Sequence, residues 1–157
     1  MSANCVCALQ SDSGSSVQGI LTLVQASEDG PTVISGELKG LAPGKHGISI
    51  NVYGDLSDGA TSCGDIFNPF GQSHGLPGDE NRKVGSLGNI TAGDDGKAIV
   101  EIEDTLVKLL GPHSVIGRSM IVYAAEDDGG RGGHENSLTT GNAGPRVAAG
   151  LVGIGAQ

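Results

Sequence analysis

Apolar and polar residues alternate along this chain in short stretches, and glycine, proline, aspartate and asparagine cut the stretches off. The stretch from Gly44 to Asp55 sets the pattern. Successive side chains of a strand point to opposite faces, so Ile48, Ile50 and Val52 form an apolar set, while Ser49 and Asn51 point together to the other side. The strand runs into a glycine turn at Gly54-Asp55. The same reading predicts eight strands, at about 4–10, 17–25, 32–38, 45–53, 84–90, 97–102, 119–123 and 147–154. Turns are expected at Glu28-Asp29-Gly30-Pro31, Ala42-Pro43-Gly44 and Ala92-Gly93-Asp94-Asp95-Gly96. Short strands with frequent turn signals point to an all-β sandwich or barrel.

Two connections stand apart by length, residues 54–83 and 124–146. Loops of that size are uncommon in compact domains and usually carry function. No repeat, linker or second domain interrupts the pattern, so residues 1–157 read as one domain. The chain holds 28 glycines, two phenylalanines and no tryptophan, which leaves a core of small aliphatic residues. A net charge of −9 would be repelled by nucleic acid and by anionic membrane surfaces, so neither is expected as a partner. No apolar run reaches membrane-spanning length, and the start has no signal-peptide core. Met1 is therefore read as the start of a cytoplasmic protein, or of an excised segment given a new methionine. Three cysteines do not form a complete disulfide set, in keeping with a reducing compartment.

Several pieces occur together, in order, over nearly the whole chain: Val17-Gln18-Gly19, His46-Gly47 with Gly54-Asp55, Phe67-Asn68-Pro69, His74-Gly75, Leu87-Gly88-Asn89, Ile102-Glu103-Asp104, Ile116-Gly117-Arg118, Gly141-Asn142-Ala143 and Gly153-Ile154. In these the chain resembles the copper/zinc superoxide dismutase family. The resemblance implies an eight-stranded Greek-key β-barrel, an immunoglobulin-like sandwich, with residues 103–115 as the Greek-key crossover. The two long connections would be the zinc-and-disulfide loop and the electrostatic loop that shape the copper channel.

Carried over position by position, the family's copper histidines fall on Ser49, Asn51, Ile66 and Tyr123. Serine and asparagine are weak neutral donors for a redox copper, and isoleucine is none. The zinc ligands fall on Ile66, His74, Lys83 and Ser86, which leaves His74 alone, and one imidazole does not make a four-coordinate site. The family's disulfide falls on Ala60 and Ala149; such a bond typically contributes about 2–4 kcal/mol. Arg146 matches the arginine that orients superoxide, and Asp127 the aspartate that tethers metal-bound histidines. His46 reads as a structural strand-end histidine, His113 and His134 as exposed loop residues, and Cys5 and Cys7 as a buried pair on the first strand. The carboxylates of Glu126-Asp127-Asp128 read as a solvated turn. Gly54, Ile116, Gly117, Gly153 and Ile154 match the family's dimer interface.

These correspondences predict a member without copper, zinc or any other cofactor, its dismutase activity lost. It would act by forming a homodimer, or a heterodimer with an active dismutase or its copper chaperone. Two alternatives stay open. The region around Tyr53-Gly54-Asp55-Leu56, Ser62-Cys63-Gly64 and Gly130-Arg131-Gly132-Gly133-His134 is similar to the dismutase-like domain of that chaperone. Cys63 and His74, with Asp65 or His134, could also serve a divergent metal-binding protein.

Overall fold

A computed structural model describes residues 2–156, so the start read at Met1 lies outside the described residues. Among these described residues nine strands form: β1 (Ala3–Ser11), β2 (Gln18–Gln25), β3 (Thr32–Lys39), β4 (Gly44–Asn51), β5 (Ser57–Ala60), β6 (Ser86–Ala92), β7 (Ala98–Asp104), β8 (Ser119–Tyr123) and β9 (Arg146–Ile154). Eight of them make one antiparallel sheet in the order β6-β4-β8-β9-β1-β2-β3-β7. Its edge strands β6 and β7 are joined by a turn held by Gly93 N–H to the Lys97 carbonyl, and the sheet curls into a nearly closed barrel. A single helical turn, α1 (Ser137–Thr140), lies in the second long connection. The all-β, eight-stranded expectation stands.

The strand ends differ by a few residues, with one addition. β5 was not expected, because Ser57-Asp58-Gly59-Ala60 has no apolar alternation. The fifth expected run began at Val84, but Gly85 N–H is committed to the Phe67 carbonyl, and regular pairing with β4 runs from Ser86 on.

Alternation places the barrel core. Cys5, Cys7, Leu9, Leu21, Leu23, Ile34, Leu38, Ile48, Ile50, Val100, Met120 and Val152 meet inside it. Burial of such side chains contributes about 1.5–3 kcal/mol each. β4 lies at the centre of one half, between β6 and β8, and both its faces are buried from His46 to Asn51. Ile48 and Ile50 face the core, while Ser49 and Asn51 face a second layer beneath the long connections. Register shifts in β4 between Gly47 and Ser49, and in β8 between Val122 and Tyr123, fall beside this layer. Such irregularities re-aim side chains.

Several polar groups tie connections to the barrel. The Gln25 carboxamide makes four bonds, accepting from Leu109 and Leu110 N–H and donating to the carbonyls of Glu28 and Gly30. Arg82 forms a buried ion pair with Asp104 at 2.8 Å. Gly54 packs so closely on the Gly117 carbonyl that a Cβ would collide with it. Its small size therefore has a use within the chain.

Candidate functional site

Behind β4, three polar side chains form a chain of hydrogen bonds. Ser49 Oγ donates to Asn51 Oδ1 at 2.6 Å, which leaves the Tyr123 hydroxyl to donate to Ser49 Oγ at 2.9 Å. Asn51 Nδ2 donates to the Gly64 carbonyl at 2.8 Å. All three residues are buried. Burial raises the Tyr123 hydroxyl above its ordinary pKa, and the Ser49 hydrogen bond and Arg146 only partly oppose that. Ile66 is bridged to Asn51 and closes one side. The four positions matched to copper histidines are thus neighbours, joined by hydroxyl and amide bonds and an apolar wall.

A second cluster lies beside the first. His74 Nε2 faces both carboxylate oxygens of Asp127, at 2.8 and 2.9 Å, and His74 Nδ1 is 3.2 Å from Ser86 Oγ. Asp127 also accepts from Gly129 N–H, and its backbone is clamped by Asn89 through two bonds, 2.7 and 2.9 Å long. Gly141, at φ 72°, passes so close that a Cβ would strike the Asp127 carboxylate. The expectation that Asp127 belongs to a solvated turn is corrected here: it is 5% exposed. A buried carboxylate needs a full set of donors, and the imidazole and the Gly129 N–H supply them. Lys83 Nζ reaches across to the Thr139 carbonyl at 2.7 Å, and desolvation lowers its pKa below that of a free lysine.

The family resemblance implies copper and zinc, and the donors present do not fit either. The first cluster offers a hydroxyl, a carboxamide and a phenol, each already hydrogen-bonded, where copper calls for imidazole. The second offers one imidazole with both nitrogens engaged, one carboxylate, a hydroxyl and an ammonium. Among the described residues no three His, Cys, Asp or Glu side chains are grouped to hold a metal ion. Above the clusters, between the two long connections, is a cavity of about 370 Å³ whose lining includes Ile66, Lys83 and Arg146.

Arg146 donates to the Ala60 carbonyl at 2.8 Å, which ties the first connection to the start of β9. Ala60 and Ala149 pack in one apolar cluster with Cys63, Ile121, Tyr123 and Ala143. Cys63 is fully buried with its thiol against the Asp55 carbonyl, away from His74 in the hydrogen-bond network. Cys5 and Cys7 face the core, and burial pushes the Cys7 thiol up to about 12. His46 points both ring nitrogens at carbonyl oxygens, those of Tyr123 and Ala42. His134 is exposed; His113 is half-buried, its ring edge-on to Phe70, which corrects its reading as an exposed residue. On the outside, Ile154 is 78% exposed, with Ile116, Leu151 and Tyr53 also open to solvent.

Gln25 and Arg82 were not singled out from the sequence, and Asn89 and Asp104 entered only within motifs, without a role of their own. Their partners lie far away along the chain, and no local spacing marks them.

Comparison with known proteins bears on the whole chain. A family model described as copper/zinc superoxide dismutase (SODC) matches residues 17–152. A protein of Onchocerca volvulus named as a Cu-Zn superoxide dismutase is 50% identical over 159 residues, covering 99% of each chain. That identity overturns the expectation that the chain is no enzyme and has lost dismutase activity, since half of all positions are shared with a protein bearing that name. Neither match supports the narrower similarity to the copper chaperone's domain. By the span of the family model and the end-to-end identity, this chain belongs to the copper/zinc superoxide dismutase family.

Proposed function

We propose that the chain takes part in superoxide dismutation as one subunit of a dimer of the copper/zinc superoxide dismutase type, in the cytoplasm. The observation that carries this reading is the 50% identity, end to end, to a protein named for that activity. Dismutation converts two superoxide anions and two protons into dioxygen and hydrogen peroxide, so a centre must take up an electron and give it back. The hydroxyl, amide and aliphatic groups of Ser49, Asn51, Ile66 and Tyr123 do not form such a centre.

What this chain brings is a surface. Ile116, Leu151 and Ile154 are apolar and exposed, and Gly117 and Gly153 beside them let a second backbone come close. Family membership supports a two-fold pairing through this patch, either with a second copy or with a metal-bearing relative.

The test is superoxide decay, followed for the purified chain and for its equimolar mixture with a copper-loaded dismutase, with the subunit composition read on the same samples. The expected result is a dimer, of the chain alone or with the dismutase, and decay faster in the mixture than the same amount of dismutase gives by itself. A chain that stays monomeric and leaves the dismutase unaffected contradicts the reading. Superoxide decay that neither the chain alone nor the mixture accelerates beyond the dismutase also contradicts it.

A further inference from the structure

We infer that a hydrogen-bonded clasp fills the place where this fold family keeps its metals, and that it pins the two long connections to the barrel without zinc or copper. This goes beyond the proposed function and does not depend on it.

Three parts of the chain meet at one imidazole. His74 comes from the first long connection, Asp127 from the second, and Ser86 from barrel strand β6. With its proton on Nε2, His74 donates to the Asp127 carboxylate, and Nδ1 accepts from the Ser86 hydroxyl. Both nitrogens are then used, and a metal ion would have to displace one bond to gain one. The ring is buried, so each lost bond would leave a polar atom without water to replace it.

Two cross-links between the same connections stand nearby. Lys83 Nζ donates to the Thr139 carbonyl at 2.7 Å, and the Arg131 guanidinium donates to the Asp79 carboxylate at 2.6 Å. Lys83 also places a cation beside the cluster, which opposes entry of another. The network leaves no loose ends. Among the described residues the buried side-chain atoms without a hydrogen bond are Asp104 Oδ2, which is ion-paired with Arg82, and Ser119 Oγ, and neither belongs to it. A metal site waiting for its ion would expose free donor atoms; this cluster has spent them.

The test uses the full-length chain, dialysed against a chelator and then titrated with zinc and with copper. Metal per chain, melting temperature and hydrogen exchange over residues 66–83 and 124–146 are read. The expected result is less than about 0.1 metal per chain, with neither metal changing the melting temperature or the exchange of the two segments. Asp127→Asn weakens the clasp and should raise exchange in both segments together by roughly tenfold, with the barrel strands unchanged. Lys83→Met removes one cross-link and serves as the milder variant, with a smaller rise in the same segments. One tightly held zinc or copper that slows exchange in these segments would overturn the inference. So would wild-type exchange in both variants.

Discussion

The two faces of β4 are built by opposite rules. On one, Ile48 and Ile50 sit in an apolar interior where any well-shaped hydrocarbon contributes. On the other, Ser49 and Asn51 sit in a layer where each atom has a named partner: Tyr123, Gly64 and one another. The first face is forgiving of chemistry and strict about volume. The second is strict about chemistry, because a buried polar atom that loses its partner keeps the whole cost of its desolvation. The barrel owes its existence to the first, and the placement of the long connections to the second.

Substitutions should separate the two. Ile50→Ala leaves a hole in the core and should lower global stability by about 2–5 kcal/mol in denaturant melts, with all strands affected together. On the other side, the connections are held by noncovalent contacts, so a covalent link should act there strongly. Ala60→Cys with Ala149→Cys, two residues of one apolar cluster, should raise stability by about 2–4 kcal/mol under oxidising conditions and by nothing under reduction. Asn51→Ala leaves the Gly64 carbonyl without its donor and takes one of two partners from the Ser49 hydroxyl. It should cost about 1–3 kcal/mol, with faster hydrogen exchange concentrated around residues 61–66.

The smallest effect should be one of pH. Burial raises the Tyr123 hydroxyl above its ordinary value of 10.0, so the folded state holds that proton after the unfolded chain has lost it. The resulting stability is fully present below pH 10 and is lost as pH rises through the folded value. Tyr123→Phe has no such proton to lose, and its alkaline melts should fall less steeply than those of the parent.

The same contrast explains what could be read in the chain. Period-two alternation placed all eight barrel strands, because the inward face of each has to be apolar whatever its neighbours are. It also put Ser49 and Asn51 on a common face opposite Ile48 and Ile50. It could not say that this second face is buried, since burial there depends on connections far away in sequence. Asp127 is the clearest instance. Among Glu126 and Asp128 it looks like a solvated carboxylate; its burial is met by the Gly129 N–H and by a histidine 53 residues away, to which the family resemblance pointed and the local pattern did not. Gln25 is similar, ending a strand as an ordinary polar residue while bonding two amides 84 and 85 positions on. Glycine was legible as turn punctuation, but not at Gly141, where the need is to clear the Asp127 carboxylate.

The family resemblance located the site and, read residue by residue, pointed to a protein without activity. Identity over the whole length corrects that step. Donor chemistry at a handful of positions describes what this chain can hold. It does not decide activity, on which the end-to-end identity bears.

The measurement that bears most directly on this account is native mass spectrometry of the chain, alone and mixed with a copper-loaded dismutase, after exposure to both metals. The account predicts dimers in both samples, with mixed dimers carrying metal on the dismutase subunit and the mass of this chain unchanged. Monomers throughout, or a dimer with stoichiometric copper or zinc on this chain, would contradict it.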